Sequence, residues 1–511
     1  MENENNVDGL IDESPDSENN NQDNKYLKRS VISGVIWKFG ERFLAQAISF
    51  IVSLVLARLL SPDDYGAVAI VTIFVTIADV FLSSGFSIAL IRKKEVTEID
   101  LSSVFYTNLL ISIILYFIIF FSAPSIAGIN KMPELIWFLR IIALKLPISA
   151  YNTVQSAIVS RNMIFKKFFF ATLIGTLISA VVGIFMAYKG FGTWSLIAQQ
   201  LTNLVIDTLI LAIAVRWKPK LVYSWRSIKQ MFSFGAKNMA TDLTGTVFNQ
   251  LNSIVIGIKY TPADLAFYSK GQQIPSTLNN TISSALTSVI FPAIAKVSDD
   301  MEMVKKANRK AIRMLSFVLF PIMVGLVFVT KELVLVLYTE KWSAMIIFMQ
   351  LMCLDSIISI IGGFDIITLK AIGKSNVTLI LEAIKKPIFL IIIFVSMFYG
   401  VLSIAIFGVV ISALAVIINS FALKKYINYG LIEKIIDCMF PLVASSIMGA
   451  VVYLCNFIPL TNNIVILLIK VFIGVFIYLL CSIVSKNSEF KQLINIVKSK
   501  LPKKNRSDEN V

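Results

Sequence analysis

Residues 59–68 read LLSPDDYGAV, a polar turn between two long apolar runs, and residues 259–268 read KYTPADLAFY. Ser61-Pro62-Asp63-Asp64 and Thr261-Pro262-Ala263-Asp264 are one turn written twice, 200 residues apart. Two further pairs recur in the same order. Phe39-Gly40-Glu41-Arg42 parallels Phe234-Gly235-Ala236-Lys237, and Gly192-Thr193-Trp194-Ser195 parallels Gly400-Val401-Leu402-Ser403. Offsets that drift from 195 to 208 are what loop and helix insertions produce between two homologous halves.

The runs around each turn set the class of the chain. It is 56% hydrophobic and only 15% charged, with a mean hydropathy of +0.77, which excludes a soluble globule with a charged surface. A bilayer-spanning helix needs roughly 20 mostly apolar residues. About fourteen stretches qualify, near 31–60, 66–90, 101–122, 135–159, 168–188, 193–215, 231–258, 270–295, 314–330, 343–369, 376–398, 400–422, 437–457 and 463–485. The expected fold is an all-α polytopic membrane protein. Two six-helix bundles, 30–215 and 231–422, are joined by a basic linker, 216–230, and a helix pair, 437–485, is appended. Six spans per half make the repeats parallel, related by an axis along the membrane normal, as in transporters with a site at the repeat interface. The four cysteines lie in or beside spans, so neither a disulfide framework nor a metal cluster is legible.

Residues 1–29 are acidic, Asn-rich and poor in apolar side chains, the composition of a disordered tail and not of a signal peptide. Of the 47 lysines and arginines, 32 fall in the loops on the side of the N-terminus or in the basic tail 486–511, seven in the opposite loops, and eight within spans. By the positive-inside rule both termini are expected in the cytoplasm. The net charge of +15 is then explained by basic inner loops facing anionic membrane lipids, without nucleic acid as a partner.

The run from Val35 to Phe74, with ERFLAQAISFIVSLVLARLLSPDDYGAVAIVTIF, resembles the opening of the bacterial polysaccharide exporters, the Wzx-type oligosaccharide flippases of the multidrug/oligosaccharidyl-lipid/polysaccharide superfamily. SFGAKNMATDLTGTVFNQLNSIVIGIKYTPADLAFYSKGQQIP, residues 233–275, is similar to the start of that family's second half, and FPAIAKV at 291–297 to the end of its eighth span. The resemblance covers the membrane region from about 30 to 485 through many weak positions and no single motif. It implies alternating access in the bacterial inner membrane, moving undecaprenyl-pyrophosphate-linked sugar repeat units from the cytoplasmic to the outer leaflet. Polysaccharide polymerase machinery would be a further partner. A lipid II flippase and a cation-coupled multidrug exporter of the same superfamily are the alternatives.

A pyrophosphate cannot cross hydrocarbon unaided, so charges inside spans are the first candidates for its site. Arg42 and Lys237 occupy equivalent places on the first helix of each half, with Lys38 one turn before Arg42. They either hold the pyrophosphate or snorkel to the headgroups. Arg140 and Lys145 are further cationic candidates, and Asn238, Asn249, Gln250 and Asn252 are amides suited either to sugars or to joining helices. Asp79, Asp207, Asp242, Asp355 and Asp365 are candidates for a coupling cation, Na+ or H+. The family often carries an aspartate where this chain has Asn252, which puts coupling there in doubt. Glu382 with Lys385 and Lys386 has the spacing of a self-neutralising helical cluster. Tyr65, Tyr268 and Trp342 near the outer corners are expected to be interface anchors.

Enzymatic readings find little to work with. The chain has no histidine and no GxxxxGK[ST] phosphate loop, and no cofactor is implied. A polysaccharide polymerase would need catalytic residues on a sizeable outer loop, and none is visible.

Overall fold

The computed structural model describes Gly40, residues 44–457, Pro459 and residues 462–500. These form helices and connecting turns, without a strand among the described residues. In chain order they are α1 (Leu44–Leu59), α2 (Pro62–Ser83), α3 (Phe86–Arg92), α4 (Glu98–Ile129), α5 (Leu135–Ile142), α6 (Lys145–Arg161), α7 (Phe165–Tyr188), α8 (Thr193–Val215) and α9 (Trp225–Lys259). They continue with α10 (Pro262–Lys296), α11 (Met301–Leu337), α12 (Met345–Gly362), α13 (Asp365–Ala371), α14 (Ser375–Ser396), α15 (Val401–Ile427), α16 (Leu431–Leu454), α17 (Asn463–Val484) and α18 (Ser488–Lys500). Every expected span coincides with a helix or a broken helix pair, except that residues 31–43 of the first lie largely outside the described residues. Ten of these are long and apolar enough to cross a membrane. The helices α9, α10 and α14 fall short of that measure because amides, hydroxyls or charges interrupt them, and α1 because only 16 of its residues are described; the described residues are all-α and multi-pass.

The quoted turn owes its shape to a reciprocal cap. Asp64 Oδ2 accepts from the backbone N–H of Ser61 at 3.0 Å and from its hydroxyl at 2.6 Å, while Ser61 Oγ accepts from the Asp64 N–H at 3.2 Å. Thr261 and Asp264 repeat the arrangement at 3.1, 2.7 and 3.2 Å. In both, Pro fills the first helical position, where its missing N–H costs nothing. The third repeated pair matches too: Gly192 and Gly400 precede α8 and α15 with φ of 54° and 104°, a left-handed backbone that favours glycine.

Packing divides the chain into two compact units. The first runs to Leu60 and takes in Val71–Gln250; the second comprises Ser61–Ile70 and the chain from Leu251 onward. The division falls inside α9 rather than at the basic linker. The linker belongs to the first unit because Ser102 and Ser103 of α4 accept the backbone N–H groups of Lys220 and Ser224 at 3.0 and 2.9 Å.

Within the first unit α4 packs on α6, α6 on α8 and α7 on α8. The second unit repeats the scheme with α11 on α12, α12 on α15 and α14 on α15. The helix is broken at the same step of each: α5–α6 together cover Leu135–Arg161, and α12–α13 cover Met345–Ala371, 27 residues apiece. The α7–α8 contact follows from small residues on one face, Ala171, Gly175, Ser179 and Gly183, which let two backbones approach.

The appended pair is joined to the second unit by ions. Lys434 on α16 meets Asp365 at 2.5 Å, both side chains 0% exposed. Lys470 on α17 meets Glu332 of α11 at 2.7 Å, and Asp437 accepts from Arg309 at 2.8 Å and from Arg313. Residues 488–500, expected only as part of a basic tail, form the helix α18, whose Phe490 ring lies against Phe317.

Candidate functional site

Three of the candidate residues meet in one polar seam of the first unit. Lys145, Ser149 and Asn152 stand at successive turns of α6, opposite Gln200, Asn203 and Asp207 at successive turns of α8. Lys145 Nζ donates to Gln200 Oε1 at 3.2 Å. Asn152 Nδ2 donates to Asp207 Oδ2 at 2.9 Å and to Thr208 Oγ1 at 3.0 Å. Thr172 of α7 donates to the other Asp207 oxygen at 3.4 Å. Asp79 of α2 lies near Ser149 and Lys145 at one end of the seam. Two carboxylates, one ammonium and several amides and hydroxyls thus share one interior, an arrangement able to hold a proton or a small cation.

A second polar feature runs along α9. Asn238, Thr241, Asp242, Gly245, Asn249 and Asn252 recur at helical spacing and form a stripe, with Lys237 beside its beginning. Lys237, Asp242 and Asn249 are exposed, and Asn238 and Gln250 are half-buried. Asn252 donates to Tyr268 Oη at 3.1 Å, while its own carbonyl oxygen is buried without a partner among the described residues. Arg42 and Lys38 lie outside the described residues.

The remaining candidates are engaged elsewhere. Arg140 stands in the last turn of α5 with its guanidinium 4.0 Å from the Phe120 ring centroid and 5.5 Å from that of Trp137, and its Nε donates to the Phe120 carbonyl at 3.4 Å, so cation–π contact and this hydrogen bond engage it. Asp365 is committed to Lys434 and Ser420, which explains its burial without a coupling ion. Asp355 accepts from Ser412 Oγ of α15. Glu382 pairs with Lys385 at 2.6 Å, as the spacing anticipates.

Two expectations need correction. Tyr268 and Trp342 are not interface anchors: they are 3% and 0% exposed, and Trp342 packs edge-on against Tyr65 at 5.4 Å and Phe267 at 6.0 Å. The aromatic side chains fill the corner where Gly66 abuts the backbone of Pro262, so the two copies of the turn touch. Burial at this corner lowers the Lys341 ammonium's pKa, and Asp64 opposes the shift. Lys270, one of the seven cations that the sequence assigns to the loops opposite the N-terminus, lies two turns inside α10, 4.2 Å from the Tyr65 ring centroid. The signal was available, since the Thr-Pro-x-Asp cap starts α10 at Pro262 rather than at 270.

Known proteins resemble the chain over much of its length. The polysaccharide biosynthesis protein family matches residues 55–347, more than half of the sequence. The succinoglycan biosynthesis transport protein ExoT of Rhizobium meliloti is 26% identical over 62% of this chain, which spans 64% of ExoT's length. The teichuronic acid biosynthesis protein TuaB of Bacillus subtilis is 22% identical over 84% of this chain and 89% of its own. The lipopolysaccharide biosynthesis protein WzxC of Escherichia coli is 21% identical over 66% of this chain and 69% of its own. Among solved structures, the lipid II flippase MurJ in an inward closed conformation superposes with a TM-score of 0.69 at 19% identity, covering 91% of this chain and all of its own. An inward-facing multidrug transporter of the MATE family gives 0.60 at 17% identity, covering 75% of this chain and 94% of its own. The chain is a multi-pass membrane protein with the fold shared by these two transporters, and it belongs to the polysaccharide biosynthesis protein family.

Proposed function

We propose that the protein flips undecaprenyl-pyrophosphate-linked oligosaccharide repeat units from the cytoplasmic to the outer leaflet of the bacterial inner membrane by alternating access. The observation that carries this reading is the polar stripe of α9, amides and hydroxyls with an exposed Lys237, inside a chain otherwise built for hydrocarbon. Amides offer both donors and acceptors to sugar hydroxyls, and a lysine offers charge to a phosphate. Arg42, at the repeat-equivalent place, supplies the second cation in this account, with Lys38 one turn away. Membership of the polysaccharide biosynthesis family, and the names of ExoT, TuaB and WzxC as biosynthesis proteins for succinoglycan, teichuronic acid and lipopolysaccharide, support a saccharide cargo.

Energy for transport comes in this reading from a Na+ or H+ gradient, with Asp207 and Asp79 of the first unit's seam as the coupling carboxylates. Asp355 is the second unit's candidate. Both termini lie in the cytoplasm, as the loop charges require, and the polymerase machinery receives the flipped unit.

Binding by the purified protein in neutral-lipid nanodiscs tests the cargo class. Undecaprenyl pyrophosphate should be retained in native mass spectra and weakened by Lys237→Gln. Retention of a cationic dye in its place would turn the reading toward multidrug export.

A further inference from the structure

We propose that the first unit carries, apart from the α9 stripe and the interior seam, a cleft that binds a phosphate group at the basic end of the unit. The end of α6, the start of α4 and the 216–220 linker line an open cleft of about 610 Å³. Arg161, Arg216, Lys218 and Lys220 line it, against the single carboxylate of Glu98. None of these four cations forms an ion pair among the described residues, so the cleft keeps a net positive charge. Arg161 donates to the carbonyls of Leu90, at 3.2 Å, and of Lys93 and Lys94. These contacts fix the guanidinium while leaving two of its five N–H donors for a ligand.

Hydrogen bonds and ring stacking hold the wall of the cleft. Tyr151 Oη donates to the Trp217 carbonyl at 3.1 Å, and the two rings stack with centroids 6.0 Å apart. Ser102 Oγ holds the Lys220 N–H at 3.0 Å. Trp217 lines the cleft, 7% exposed, and its indole N–H is buried without an acceptor among the described residues. Buried donors are rarely left unmet, and indole can only donate. A fixed guanidinium and three exposed cations supply the chemistry that recognises phosphate oxygens. A cleft of about 610 Å³ matches a compact anion in size. The phosphate is carried either by the headgroup of a leaflet lipid or by a soluble anion.

The test uses the full-length protein in phosphatidylcholine nanodiscs, titrated calorimetrically with inorganic phosphate and pyrophosphate. A second arm replaces a tenth of the lipid with phosphatidylglycerol and counts retained lipids by native mass spectrometry. Saturable one-site binding is expected in at least one arm, weakened tenfold or more in the Arg216→Gln, Lys218→Gln, Lys220→Gln variant, whose three side chains are exposed and dispensable for packing. Binding in the first arm assigns a soluble anion, and one retained phosphatidylglycerol per protein assigns a lipid headgroup. A control variant, Lys374→Gln, Lys424→Gln, Lys425→Gln, removes as much charge from the second unit and should bind as the parent does. Absence of one-site binding in both arms, or equal weakening in both variants, overturns the proposal.

Discussion

Replacing Lys434 by Met should loosen α16 by an amount that the geometry bounds. Lys434 and Asp365 are both fully buried, 2.5 Å apart, and Ser420 bonds to each. Removing one partner of a buried pair costs about 3–5 kcal/mol. The stranded carboxylate can also escape by taking up a proton, which from an ordinary aspartate pKa of about 3.9 costs about 4 kcal/mol at pH 7. The two routes agree on about 3–4 kcal/mol. Cys438, one turn beyond Lys434 on the same face and 2% exposed, reports the opening directly. With Cys353, Cys455 and Cys481 replaced by alanine, maleimide labelling of Cys438 should accelerate about 10²- to 10³-fold in Lys434→Met, since about 1.4 kcal/mol is tenfold. The double variant Lys434→Met, Asp365→Leu removes both charges and should label within about tenfold of the parent. The thermal-unfolding penalty of the single variant should shrink at pH 5, where the same proton uptake costs about 1.5 kcal/mol. Unchanged labelling in the single variant, or equal acceleration in single and double, would refute the reasoning.

Three other outcomes follow from the same geometry. Gly66→Ala would put a Cβ 1.8 Å from the Pro262 carbonyl oxygen, so thermal unfolding should show a loss of about 3 kcal/mol; a parent-like midpoint would contradict the corner contact. Asp207→Asn keeps the side chain's volume but removes the carboxylate that accepts from Asn152 and Thr172. Under the coupling proposal it should abolish gradient-driven transport at unchanged expression, and transport that still follows the gradient would exclude Asp207. A fluorescent protein fused after Val511 should glow and an alkaline phosphatase fused there should stay inactive; the opposite pattern would invert the topology.

Much of this architecture is written in short polar signals. The Ser61 and Thr261 caps, the paired Gly192 and Gly400, and the i, i+3 spacing of Glu382 and Lys385 can be read directly because each is a local interaction within a few residues. The seam is legible only in part. Asp79, Lys145 and Asp207 stand out as charges in apolar runs, but their meeting through Asn152, Ser149 and Gln200 depends on how α2, α6 and α8 pack. The pairing of Asp365 with Lys434, 69 residues away, is invisible for the same reason. Lys434 reads as a loop cation because apolarity alone starts its span at 437, whereas α16 begins at Leu431. Trp342 reads as an anchor because aromatic residues at a span end usually are, whereas the Tyr65, Phe267 and Tyr338 rings pack around it.

The most direct test is flipping of fluorescent undecaprenyl-pyrophosphate-linked oligosaccharide in proteoliposomes, comparing the parent with Arg42→Gln, Lys237→Gln at matched insertion. The account predicts transport by the parent and its loss in the double variant. Export of a cationic dye by a parent that leaves the lipid-linked oligosaccharide in place would contradict it, and equal flipping by both proteins would remove the two cations from the site.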